Sequence, residues 1–138
     1  MLINSLPLQT KDTMRKNQIK PLRTFFVYKD YFKEFKKTLT RTTLIKMYQI
    51  FLYIMTLEKI PEQYFKAITS VKGLFEIRIE EGGNIYRIFC CMDKGNIVVL
   101  FNAFQKKTQK TPANEIEKAA RLMEEYLKEK ERRQHDDK

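Results

Sequence analysis

The chain has 138 residues, enough for one folded domain and too few for two with separate cores. A hydrophobic share of 43%, with 12% aromatic and only 4 Gly and 4 Pro, excludes wholesale disorder and collagen-like sequence. Lys and Arg number 27 against 17 Asp and Glu, a net charge of +10 that favours nucleic-acid or anionic-surface partners and equally serves plain solubility.

In chain order, residues 1–22 show no period and are expected to form a flexible N-terminal extension. Residues 23–133 then make one domain, and 134–138 a charged tail. The run Thr24 to Tyr28 (TFFVY) is β-branched or aromatic and predicts a strand. Asp30 is placed to cap a short helix, Tyr31 to Leu39. Thr40, Thr42 or Thr43 is placed to cap a longer one ending near Leu57. Leu44, Met47, Tyr48, Phe51, Ile54 and Met55 keep a three-and-four spacing, the mark of a buried face or a docking stripe. Pro61 predicts another short helix, Glu62 to Ile68, because proline favours the first helical turn. Three strands follow: LFEIRIE, IYRIFCCM and IVVLFNAF, joined at EGGN and DKGN. Thr111-Pro112 opens a last helix, with Ile116, Ala119, Ala120, Met123, Tyr126 and Leu127 on one stripe. The implied fold is α+β: a twisted antiparallel sheet made of the N-terminal strand and a three-stranded meander, with helices on one face and a C-terminal helix.

Register makes a candidate site of the meander. With Gly82-Gly83 as a two-residue turn, Arg78 lies opposite Arg87 and Glu76 opposite Phe89. With Lys94-Gly95 as the next, Arg87 lies opposite Asn102. One face then reads Phe75, Ile77, Ile79, Tyr86, Ile88, Cys90, Met92, Ile97, Val99, Phe101 and Ala103, without a charge. The other carries Glu76, Arg78, Arg87, Phe89, Val98, Leu100, Asn102 and Phe104. Opposed arginines repel, so the pair is read either as a phosphate-binding fork or as a surface cluster neutralised by Glu76. Residues 71–104 hold four basic and four acidic side chains, so these arginines are not part of a general basic coat. FQKKTQK then places Lys106, Lys107, Thr108 and Lys110 at the strand end, where Phe104 offers a ring for a base.

Other chemistries have little support. Cys90 and Cys91 are adjacent, which suits neither a disulfide nor a metal-ligand spacing. The single histidine, His135, stands in the charged tail, and no Gly-rich phosphate loop or acidic metal cluster is visible. The most apolar run, Met47 to Leu57, is too short to span a bilayer, and a cytoplasmic location is expected. One reaction needs only what is here: attack of an RNA 2′-hydroxyl on its neighbouring phosphodiester, with the nucleotide aligned and the phosphorane charge stabilised. Lys106 or Lys107 qualifies as base where cationic neighbours lower its pKa.

Residues 21–127 resemble bacterial type II toxins of the RelE/HigB group, in the phage-derived Gp49-like branch of the RelE/ParE superfamily. PLRTFFVYKDYFKEF resembles that branch's opening strand and helix, GLFEIRIE its GLYELR pattern, and NIYRIFCCMDKGNIVVLFNAFQKKTQKTPANEIEKA its most specific block. Phe75 stands where Tyr or Trp is usual, Ala103 where Gly is common, and no histidine occupies the site. The resemblance implies a toxin that enters the ribosomal A site and cuts mRNA as a metal-independent endoribonuclease, without a cofactor. By motif match, Arg78, Arg87, and Lys106 or Lys107 are the implied phosphate-contacting and catalytic residues; Glu76, Asn102, Phe104, Thr108 and Lys110, beside them on the sheet face and the connector, are the expected RNA-binding ones. It also implies a cognate antitoxin, a helix-turn-helix protein. Two alternatives share the fold: a ParE-like inhibitor of DNA gyrase and a catalytically inactive RNA-binding relative.

Overall fold

A computed structural model describes residues 20–107 and 112–136. The expectations for the first nineteen residues, for Thr108 and Lys110, and for Thr111 as a cap lie outside these. The described chain runs β1 (Thr24–Val27), α1 (Tyr31–Lys36), α2 (Arg41–Thr56), β2 (Phe65–Ala67), β3 (Leu74–Glu81), β4 (Asn84–Asp93), β5 (Ile97–Lys106) and α3 (Ala113–Asp136). No helix among the described residues is long and apolar enough to cross a membrane. The strands form one sheet in the order β1-β5-β4-β3-β2.

Local chemistry explains most boundaries. Thr40 is the residue that caps α2: its hydroxyl accepts from the Thr43 amide at 3.2 Å. Asp30 precedes α1 without a side-chain capping bond, and α1 ends at Lys36, short of Leu39. Gly82 and Gly83, at φ 58° and 79°, close the β3–β4 hairpin with the two left-handed residues such a turn requires. The register follows as expected, with Arg78 opposite Arg87 and Glu76 opposite Phe89.

Four expectations are corrected. Residues 62–68 are not a helix. Pro61 starts a single turn, with the Tyr64 amide donating to its carbonyl at 3.0 Å, and Phe65–Ala67 then pairs with β3. Phe65 stacks on Phe75 at 4.9 Å, so the edge of β3 and an aromatic pair outweigh proline's local preference. The N-terminal strand pairs with β5 in parallel, which makes the sheet mixed. The second hairpin has three turn residues, because Asp93 pairs with Ile97; Lys94 and Gly95 are both left-handed, at φ 55° and 79°. Finally, Arg87 lies opposite Phe104, not Asn102, because Phe101 and Asn102 together oppose Phe89 in a β-bulge.

The longer turn and the bulge redistribute β5 between the faces. Val98 and Leu100 join Ile77, Ile79, Tyr86, Ile88 and Cys90 beneath α2, where Met47, Ile50, Phe51 and Ile54 are buried. Val99 and Phe101 instead join Leu74, Phe89 and Cys91 beneath α3, against Ala119, Leu122 and Tyr126. Each face of the sheet thus carries an apolar core. The stripe of α2 is packed inside the first of these; Ile45 and Tyr53, off the stripe, are the large exposed apolar side chains of this helix.

Candidate functional site

The face beneath α3 is apolar only along part of its length. Past Phe89 it turns polar, with Glu76, Arg78 and Glu80 on β3, Arg87 on β4, and Asn102 and Lys106 on β5. The bulge brings this set together. It puts Phe104 directly beside Arg87 and Lys106 beside Ile85, so the basic end of β5 meets the arginine pair. Phe104 stacks on Phe89 with centroids 5.7 Å apart, which leaves it half-buried with one ring face occupied. Asn102 is buried, and its amide donates to the Glu115 carbonyl and carboxylate at 3.1 and 3.0 Å, fixing the first turn of α3 over the polar group.

The two arginines occupy different environments. β4 is central in the meander, and the Arg87 side chain is only 6% exposed, in an ion pair with the equally buried Glu76. Arg78 lies nearer the sheet edge, 39% exposed, and pairs with Glu80 at 2.8 Å. The opposed arginines are therefore not a fork of two equally accessible guanidinium groups: one is sealed, one accessible, and each already holds a carboxylate, Glu76 neutralising Arg87. The repulsion between them is offset by that arrangement. Four buried polar atoms in this group lack a hydrogen-bond partner among the described residues: Glu76 Oε2, Arg78 Nε, Arg87 Nε and Asn102 Oδ1. Such atoms mark places for ordered water or a polar ligand.

Lys106 is half-buried beside them. Burial, then the charges of Arg87 and Arg78, hold its pKa below the usual lysine value, against a weaker opposing pull from Glu76. Lys107 is exposed on the connector. The structure thus gathers Arg78, Arg87, Lys106, Glu76, Asn102 and Phe104. Glu80 and Glu115 were not singled out in the sequence. Glu80 is two residues from Arg78 on the same strand face, a spacing the sequence does display. Glu115 is thirteen residues from Asn102 and carries no local signal.

The remaining reactive groups lie elsewhere. Cys90 is fully buried, and burial followed by the Asp93 charge pushes Cys91 up to about 12, so neither is a nucleophile. Tyr126 is bonded to Asp93 at 2.5 Å. Asp93 is six residues along β4 from Arg87, about 20 Å at the usual strand rise. His135 is in the last turn of α3.

Cations held in register at a strand end, a lysine with a lowered pKa and a ring beside them are suited to binding and polarising a phosphodiester. Among curated proteins, none matches this chain. Residues 30–124, from the start of α1 into α3, match the family described as phage derived protein Gp49-like (DUF891). The chain belongs to that family, which is associated with RelE/HigB-type toxins.

Proposed function

We propose that the protein is the toxin of a type II toxin–antitoxin module and acts in the cytoplasm as a metal-independent, ribosome-dependent mRNA endoribonuclease. Family membership is consistent with a toxin and implies an antitoxin partner. The observation that carries the nuclease reading is the position of Lys106: the residue is half-buried at the end of β5, and the charges of both Arg87 and Arg78 act on its amine.

In this mechanism Arg78 takes a non-bridging phosphate oxygen, which requires it to exchange Glu80 for the phosphate. Arg87, held by Glu76, contributes fixed positive charge behind it. Lys106, as the neutral amine, accepts the 2′-hydroxyl proton; the 2′-oxygen bonds to phosphorus as the bond from phosphorus to the 5′-oxygen breaks, and the 5′-oxygen leaves, taking a proton from solvent water. The products are a 2′,3′-cyclic phosphate and a 5′-hydroxyl. Lys107, Thr108 and Lys110 hold the backbone beyond the cut, and Phe104 offers its free ring face to a base.

The test is single-turnover cleavage of mRNA on programmed ribosomes across pH. The expected rate rises with pH until Lys106 is neutral, on a limb below the ordinary lysine range. Arg78→Gln raises that limb, because removing a cation stabilises the ammonium form, and lowers the plateau about 10²-fold. Lys106→Met abolishes the limb. A wild-type profile kept by both variants contradicts the mechanism. A second reading, RNA binding without cleavage, is favoured by the two carboxylates that already occupy the guanidinium groups; it expects bound mRNA and no product in the same assay.

A further inference from the structure

The outer edge of β3 is only partly covered. β2 pairs from Phe65↔Ile77 to Ala67↔Phe75, and the Arg78 amide donates to the Tyr64 carbonyl at 2.9 Å. Beyond that bond, Ile79 to Glu81 have no strand beside them on this side among the described residues. The gap is a cavity of about 450 Å³ lined by Lys46 and Ile50 of α2, Gln63 and Tyr64 of the turn before β2, and Arg78 and Glu80 of β3. That volume lies within the ordinary range of small-ligand sites. Arg78 is the shared wall: the residue that faces Lys106 in the polar group also lines this cavity.

The lining is chemically specific. Lys46 makes no ion pair among the described residues, and the single carboxylate, Glu80, is engaged by Arg78. Ile50 is buried and supplies an apolar floor. Tyr64 is half-buried and held by Tyr53, with centroids 5.5 Å apart. Gln63 is exposed at the rim, with an amide that both donates and accepts. A simple anion would use the cations and leave the ring and the amide idle. A nucleotide uses all four: phosphate toward Lys46 and Arg78, base against Tyr64, base edge toward Gln63.

We propose that this cavity receives the nucleotide adjoining the phosphodiester held at Arg78 and Lys106, that Gln63 sets which base is accepted there, and that Lys46 holds its phosphate. The proposal rests on the RNA-cleavage reading above and adds to it a base-selecting subsite outside the reacting groups. Both side chains belong to the rim and wall of the cavity, and neither is part of an apolar core.

The experiment maps cut sites on programmed ribosomes carrying a pool of mRNAs, for the full chain as wild type, Gln63→Ala, Lys46→Ala and, as a control, the exposed Lys33→Ala. Wild type is expected to favour one base at a position flanking the cut. Gln63→Ala should still cut and lose that preference about tenfold, the scale of one base-edge contact. Lys46→Ala should reduce cutting at all sites and weaken its dependence on salt, and Lys33→Ala should match wild type. A wild-type base distribution retained by Gln63→Ala, or wild-type cutting and salt dependence retained by Lys46→Ala, overturns the subsite and leaves the nuclease reading standing, as does wild-type cutting without any flanking preference. No cutting by wild type overturns the nuclease reading itself, and the subsite with it.

Discussion

Arg78 and Arg87 are opposite each other in the sheet, yet they have unlike physical roles. Arg87 sits on a strand flanked on both sides, so its guanidinium is buried and needs Glu76 to balance it. Arg78 is half-exposed, and its exposed pair with Glu80 contributes little to stability. Removing Arg87 leaves a buried carboxylate without a counter-charge. Arg87→Ala is therefore expected to lower stability in urea unfolding by about 3–5 kcal/mol. Arg78→Ala should cost less than about 1 kcal/mol, and the double variant Glu76→Leu with Arg87→Met should recover much of the first loss. Equal losses from the two single arginine variants would contradict the burial difference. Loss of activity in Arg87→Ala therefore says little about catalysis, whereas loss in Arg78→Ala says much. The opposed pair was legible in the sequence, because two adjacent glycines fix a turn and a turn fixes a register. The engagement of each arginine by its own carboxylate was legible only as a possible Glu76 contact, since side-chain burial depends on what α3 covers.

At the scale of elements, the bulge in β5 and the way α3 is held decide the shape of the site. An unbroken ladder would have set Asn102 or its neighbour beside Arg87; the bulge delivers Phe104 and Lys106 instead. Nothing in the run IVVLFNAF marks a bulge, because every residue but Asn102 suits either face. α3 is pinned at its start by Asn102 and Glu115, and further along by a polar cluster at the far end of β4. There Asp93 is buried, accepts from Tyr126 at 2.5 Å and pairs with Lys130, while Tyr28 donates to Glu129 at 2.8 Å. Burial pushes the Asp93 carboxyl up, but the bonds from Lys130 and Tyr126 outweigh it and hold it below the usual carboxylate value. A lowered folded pKa means that the stabilisation is complete above the ordinary aspartate range and disappears as pH falls through the folded value. Asp93→Asn should thus cost about 1–3 kcal/mol at neutral pH. The gap between variant and wild type should close on acidification. A gap that is constant down to low pH would show that the charge of Asp93 contributes nothing.

For the whole molecule, the sheet has an apolar core on each face, one under α2 and one under α3, and its polar group lies where the second core ends. The alternating strands of the meander and the stripe of the last helix were readable in sequence, since each is local and periodic. The parallel contact of β1 with β5, and the division of β5 residues between two cores, were not, because both follow from pairings between distant segments. The net charge of +10 lies wholly outside residues 71–104, which balance to zero, so the charge that attracts a polyanion is carried by segments other than the strand stretches that hold Arg78 and Arg87, Lys106 at the end of β5 among them. The most direct measurement is a map of mRNA 5′ ends in induced cells, wild type against Arg78→Ala, with folding of both proteins verified by their unfolding curves. Wild type should generate new 5′-hydroxyl ends within translated reading frames and arrest growth, and Arg78→Ala should do neither. Growth arrest by wild type with mRNA left intact, or the same ends generated by Arg78→Ala, would contradict a phosphodiester-cleaving site at Arg78 and Lys106.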